Sequence, residues 1–314
     1  MVPYFGKYPP GFLLFLKSIS FLSSYDWYIL SDQPELHALT SGFSHIHFLS
    51  FSLEEISERA SRKLGFPVAI REGYKICDLK PLLGFIFEDL IRDYAYWGYS
   101  DTDLVLGDLP HFLERPYKEE ADVISFYGSF MSGPLSLFRN RKDVNTLFLK
   151  ITDLEKILGD PDHYGMDENI LRKNGRKGTF WRLWPSCLRG ILMEMFHGRS
   201  ALPHLRFRCQ WYRKAATMDP VRPADLTEAV WAAERKGELH ACFSDLLFSC
   251  RYMQRMKKKN WIFIWENGRM INEKGKEIAG FHMIDLKKSF HLEGLSRSLE
   301  FQRIVIGPES VTVG

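Results

Sequence analysis

The chain offers no Cys-x-x-Cys pair, and its cysteines, Cys77, Cys187, Cys209, Cys242 and Cys250, are odd in number. That excludes a zinc ribbon and argues against a disulfide framework, so a reducing compartment is the simpler expectation. It also lacks any run of ~20 apolar residues, the length needed to cross a bilayer. The nearest approach, "MVPYFGKYPPGFLLFLKSISFLSSYDW", has prolines before its apolar part, Lys17 within it and no small-residue cleavage pattern after it. The expectation is a cytoplasmic protein, with room for peripheral contact at the inner face of a membrane. Net charge is nearly absent as well: 42 basic against 39 acidic side chains leave +3, too little to indicate a nucleic-acid partner on electrostatic grounds. There is no internal repeat and no low-complexity linker.

What is present is apolar bulk. With 314 residues, 45% of them apolar and 14% aromatic, the chain can bury a sizeable core as one large, continuous domain. Residues 1–150 alternate strand-like and helix-like patterns. Phe12, Phe15, Leu16, Ile19 and Leu22 recur at helical spacing with apolar neighbours almost all round, which predicts a helix buried by its own domain. "WYILSD" (27–32) and "HIHFLSF" (45–51) read as strands. Ser52 and Glu55 form a capping-box pattern opening the helix "LEEISERASRKL".

Pro81 suits the first turn of a helix running to about Tyr94, after which comes the aromatic strand "YAYWGYS". "ADVISF" (121–126) and "PLSLFR" (134–139) are further strands. This rhythm predicts an α/β fold with a mixed, mostly parallel central sheet flanked by helices. Residues 151–314 are less regular. They predict a more helical region, including "DENILRK" and "RPADLTEAVWAAER", then a hairpin turning at Asn267-Gly268 and a late strand in "EIAGFHMIDLKKSF".

In such sheets ligands bind where the strands end. Asp32 falls at one such end and Asp101-Thr102-Asp103 at another. Residues 101 and 103 share one face of an extended chain, so both carboxylates can approach a single cation, and hard oxygen ligands suit Mg²⁺ or Mn²⁺. Capping of the next turn explains a bare Asp-x-Asp equally well. "DTDLVL" also fits the nucleophile motif of haloacid-dehalogenase-like phosphohydrolases, in which the first Asp attacks phosphorus. Those enzymes begin near that motif, whereas here about 100 residues of βαβα precede it.

Taken in order, "PYFGKYP", "WYILSD", "YKICDLKPLLGFIFEDLI", "YWGYSDTDLVLGDL" and "GPLSLFRN" resemble a bacterial family of glycosyltransferase-like proteins associated with surface-polysaccharide clusters. The fold of that family is similar to the GT-A nucleotide-diphospho-sugar transferases. The likeness is close over residues 3–150, with "MDEN" and "GFHMIDLKK" as later echoes. It implies a transferase moving a sugar from a nucleotide-diphosphate donor to a glycan or lipid-linked acceptor, assisted by Mn²⁺ or Mg²⁺. Residues 1–150 would then bind the nucleotide sugar and residues 151–314 would complete the acceptor side.

The same resemblance assigns residues. Pro3, Tyr4, Phe5 and Lys7 would underlie the nucleotide, Asp101 and Asp103 would hold the metal, and His282 would be a third ligand, with Lys287 or Lys288 reaching the phosphates. From the residues themselves, Lys75, Asp78 and Lys80 beside Tyr74 could form a base-and-ribose wall, or Asp78 could merely cap a helix. Asp167 and Glu168 sit at a helix start, where capping competes with a role as general base or as hydrogen-bond partner of the donor sugar. Gly133 allows close approach on the donor-sugar side or simply makes a turn. The aromatic and basic stretch "FWRLWPSCLRGILMEMFHGRSALPHLRFRCQWYRK" and Lys257-Lys258-Lys259 could dock on anionic headgroups, or be solvated helix faces and core. A non-catalytic glycan-binding relative would share all of these features.

Overall fold

The N-terminal alternation of strand and helix follows directly from residue pattern. In the computed structural model, which describes residues 1–9, 11–167, 223–255, 260–284, 292–293, 299–308 and 310–314, β1 (Val2–Pro3), β2 (Trp27–Ser31) and β3 (Ile46–Ser50) form a parallel sheet in the order β1-β2-β3. The helix α1 (Phe12–Ile19) is buried along its whole length. Even Lys17 is enclosed: its Nζ donates to the Leu299 carbonyl at 2.8 Å and lies over the rings of Phe21 and Phe301. Between β2 and β3 runs α2 (Glu35–Thr40), and α3 (Leu53–Leu64) follows. α3 opens with the expected capping box of Ser52 and Glu55 and closes on Gly65 at φ 81°, a left-handed cap natural to glycine.

The segment around Pro81 differs from the expected single helix. Gly73–Leu82 is a 3₁₀ helix with Pro81 inside it, succeeded by two short helical turns, Leu83–Ile86 and Glu88–Ile91. Close packing explains why this segment is held so tightly. A Cβ on Gly84 would stand 2.2 Å from the Trp97 ring, so the chain crosses the next strand at a distance only glycine allows.

That next strand, β4 (Tyr96–Ser100), joins β7 (Leu135–Arg139), β6 (Val123–Ser125) and β8 (Ala241–Phe243) in the order β4-β7-β6-β8. The pairs β4–β7 and β6–β7 are antiparallel and β6–β8 is parallel. The Met1 amino group donates to the Gly98 carbonyl, and the Ser100 amide donates to the Met1 carbonyl at 3.0 Å. One residue bridging positions two apart is the bonding pattern of a parallel pair, so β1 runs alongside β4.

A third sheet, β5-β12-β9, joins β5 (Leu104–Leu106) to β12 (Gly280–His282) antiparallel and β12 to β9 (Leu247–Ser249) parallel. A fourth runs β11-β10-β14-β15-β13, from β10 (Phe263–Glu266), β11 (Arg269–Asn272), β13 (Leu292–Glu293), β14 (Arg303–Ile306) and β15 (Val311–Val313). The architecture is therefore mixed α/β with several small sheets, less parallel than expected. Connections of a few residues, such as the Asn267-Gly268 turn with both φ positive, return the chain antiparallel, since a parallel return needs a long crossover.

Among the described residues, the C-terminal half is also richer in strand than expected, with the helix Leu226–Arg235 as its longest. Trp265 is wholly buried there and donates from Nε1 to the Leu106 carbonyl at 2.8 Å, fastening the last sheet to β5. Among the described residues no helix is long and apolar enough to cross a membrane.

Candidate metal centre

Asp101-Thr102-Asp103 is the link between β4 and β5, the point where the chain leaves one sheet for another. The Asp101 amide donates to the Pro134 carbonyl at 2.8 Å, and the Asp103 carbonyl accepts from the Met283 amide at 2.8 Å. Thus each aspartate is fixed through its backbone, one to β7 and one to the end of β12. The second bond brings His282 alongside. Its Nε2 is 3.1 Å from Asp103 Oδ1, and ligand atoms of Asp101, Asp103 and His282 all lie within 4.8 Å of one another. His282 is buried, whereas both aspartates are half-buried.

Two carboxylates and an imidazole form a donor set suited to Mn²⁺, and to Mg²⁺ less well because of the nitrogen. The residues fit a divalent ion: each carboxylate has two oxygens and about four lone pairs, so one oxygen engaged elsewhere leaves another to coordinate.

That engagement is Lys80. Its Nζ is 2.5 Å from Asp101 Oδ1 and 3.3 Å from Asp167 Oδ2, and it donates to the Gly133 carbonyl at 2.9 Å. Burial works against the ammonium, but its anionic surroundings, Asp101 foremost with Asp167 contributing, outweigh it and hold the Lys80 pKa well above the ordinary lysine value. Asp167, also buried, has its pKa raised by burial, with Lys80 opposing. The neighbouring thiol of Cys77 is pushed up to about 12 by burial, which leaves it an unreactive neutral group.

Lys75 and Asp78 are placed elsewhere than on an open wall. Both are completely enclosed and paired at 3.0 Å. Lys75 also donates to the carbonyls of Ile157 and Asp162, both at 2.7 Å, while Asp78 accepts from the amides of Tyr164 and Met166. Together they clasp the loop that delivers Asp167. Tyr74 alone of that group stands in solvent, against the His163 ring at 4.4 Å.

At the ends of β1 and β2, the Gly6 amide donates to Asp32 Oδ1 at 2.9 Å, with Gly6 at φ 85°. Asp32 and Lys7 are exposed, Tyr4 and Phe5 half-buried and Pro3 buried. Because β1 and β2 are parallel and β1 is bonded to β4 in the same sense, Asp32 and Asp101 leave the same edge two strands apart, roughly 10 Å. Gly133 and Thr102 are buried beside the cluster. Glu168, Lys287 and Lys288, and the basic and aromatic stretches proposed for docking, lie outside the described residues.

Two neighbours were not legible in the sequence. Tyr127, in the loop after β6, places its hydroxyl 3.4 Å from His282 Nδ1. Asp225 caps the helix Leu226–Arg235 by accepting from the Glu228 amide at 3.0 Å, and its other oxygen is buried with no hydrogen-bond partner among the described residues. No local pattern marks Tyr127, whereas Asp225 precedes Glu228 as a capping signal.

Fold and site together define a mixed α/β protein carrying a carboxylate–imidazole cluster suited to a divalent cation. The chain belongs to a family of unknown function, DUF6625, which matches residues 1–212. The matched region contains Lys80, Asp101, Asp103 and Asp167 and ends before Asp225 and His282. No curated protein matches the chain significantly.

Proposed function

We propose that the protein is a glycosyltransferase of GT-A type, moving a sugar from a nucleotide-diphosphate donor to a hydroxyl of a glycan or lipid-linked acceptor in bacterial surface-polysaccharide assembly. The observation that carries this reading is the convergence of Asp101, Asp103 and His282 at a strand edge from which Asp32 also projects. A span of roughly 10 Å between Asp32 and Asp101 is one a nucleoside diphosphate bridges. The order of motifs along residues 3–150 supports the same reading.

When bound, a divalent cation would neutralise charge gathering on the leaving diphosphate. Asp101, Asp103 and His282 would hold it. Asp32 would accept hydrogen bonds from ribose, and Gly6 lets the backbone approach a phosphate closely. Lys80 keeps Asp101 and Asp167 aligned with opposite charge between them. Asp167, enclosed and paired with Lys80, is better placed to accept from a donor-sugar hydroxyl than to take a proton from an acceptor.

Thermal unfolding with uridine or guanosine diphosphate, with and without Mn²⁺, tests the proposal. Metal-dependent stabilisation is expected with at least one of them, at ~2.7 kcal/mol when ligand is at 100 times its Kd. It should vanish in Asp101→Asn and Asp103→Asn. Absence of stabilisation by every nucleoside diphosphate, or an aspartyl-phosphate trapped on Asp101, would overturn it, the latter in favour of a phosphohydrolase.

A further inference from the structure

We propose that Tyr127 is a positioning residue for His282, its hydroxyl serving as the reversible hydrogen-bond partner that lets the imidazole present Nε2 to a cation. The proposal rests on the metal-centre reading of Asp101, Asp103 and His282.

In the structure His282 has Nε2 at 3.1 Å from Asp103 Oδ1 and Nδ1 at 3.4 Å from the Tyr127 hydroxyl. A carboxylate accepts only, so Nε2 carries a proton and donates to Asp103, while Nδ1 faces the Tyr127 hydroxyl, which can donate or accept there. To ligate a cation through Nε2 the ring must lose that proton and carry one on Nδ1 instead. The Nε2 proton leaves for solvent as the cation takes its place. Nδ1–H then needs an acceptor in a buried setting, since an unmet donor there costs free energy.

A phenol hydroxyl rotates from donor to acceptor without moving its oxygen. A carboxylate in its place would hold Nδ1 protonated permanently and a lysine would forbid it. Metal-bound histidines regularly rely on such a partner on the far nitrogen.

The loop is built to hold Tyr127 in place. The Gly128 amide donates to Asp245 Oδ1 at 2.7 Å, Ser125 Oγ donates to the Phe130 carbonyl at 2.7 Å, and the Met131 amide donates to Thr227 Oγ1 at 3.1 Å. The Tyr127 ring rests on Phe130 with centroids 5.0 Å apart. On the other side, the bond from the Met283 amide to the Asp103 carbonyl fixes where the imidazole begins.

Mn²⁺ affinity of the protein without nucleotide, by calorimetric titration, is the primary test, with Tyr127→Phe, His282→Ala and, as a hydroxyl deletion at the other end of β4, Tyr94→Phe beside the wild type. Tyr127→Phe should weaken Mn²⁺ binding at least about tenfold, Tyr94→Phe should not, and Tyr127→Phe should add nothing once His282 is Ala. Long-range ¹H–¹⁵N spectra of the imidazole supply a readout that packing alone does not move. With Mg²⁺ bound the wild type should show the Nδ1–H tautomer, and Nε2–H in that state overturns the proposal. Equal Mn²⁺ affinity in wild type and Tyr127→Phe, with His282→Ala impaired, overturns this proposal alone, as does equal weakening by Tyr94→Phe. Wild-type binding that is absent, or unchanged by His282→Ala, overturns the metal-centre reading and this proposal with it.

Discussion

At the scale of single residues, the centre depends on charges that are enclosed before any ligand arrives. Lys80 is 3% exposed and faces two carboxylates, so removing it leaves both without their shared cation. Breaking a buried pair by deleting one partner typically costs about 3–5 kcal/mol. Because Asp101 is partly exposed, Lys80→Met is expected to fall at the lower end, about 3 kcal/mol by urea denaturation at pH 7.

Asp225 gives the opposite sign with pH. Burial raises its pKa from 3.8 to about 7, so the folded chain retains a proton that the unfolded chain has already lost. The stability it contributes is fully present below pH 4, falls from there and is lost as the pH rises through about 7. Asp225→Asn keeps a capping oxygen and should be more stable than wild type at pH 8, with the difference disappearing at pH 4; urea midpoints at the two values decide it.

At the scale of elements, the 3₁₀ helix Gly73–Leu82 is a two-sided anchor. Lys75 and Asp78 face inward and hold the 162–166 loop, while Lys80, further along, reaches Asp101 and Asp167. Asp78→Ala is therefore expected to cost about 3–5 kcal/mol and to expose the loop to proteolysis before global unfolding. Gly84→Ala should be destabilising by at least about 1–3 kcal/mol, because Trp97 is stacked on Phe138 and donates to Asn145, so it cannot retreat from the new methyl.

Both effects bear on what the sequence made legible. Asp101 and Asp103 stood out because their relation is local, two residues on an extended chain. Lys75, Asp78 and Lys80 allow a wall or, for Asp78, a helix cap; a three-residue turn stacks Lys75 and Asp78 on one side, where they pair, and turns Lys80 away to Asp101 and Asp167, and nothing in "YKICDLKP" announces this. The late strand expected in "EIAGFHMIDLKKSF" is present as "GFH", but its partners "LVL" and "LFS" are too short to show a period, so the pairing that carries His282 to Asp103 was not legible. His282 itself was suggested only by resemblance. The capping box of α3 and the Asn-Gly hairpin, whose chemistry is contained within a few residues, emerged as written.

At the scale of the whole molecule, the cluster ties the first half of the chain to β12, far along the sequence. Divalent cation should accordingly stabilise the protein globally: in Mn²⁺ at 100 times its Kd the gain is ~2.7 kcal/mol, visible as a rise of several degrees in Tm that EDTA reverses. His282→Ala should shrink that rise and also lower the metal-free Tm by a few degrees, because the truncation opens a cavity at a buried ring and removes its contact with Asp103.

The position of β12 has a further consequence for synthesis. About 180 residues separate Asp103 from His282, and closing so long a loop must await nearly the whole chain. On the ribosome, Asp101 and Asp103 emerge early as an incomplete pair, and the third ligand joins only when β12 docks between β5 and β9. If the cluster holds metal as proposed, tight capture would be a property of finished molecules, and a product terminated before residue 280 would carry the Asp-Thr-Asp motif without the imidazole that completes the cluster.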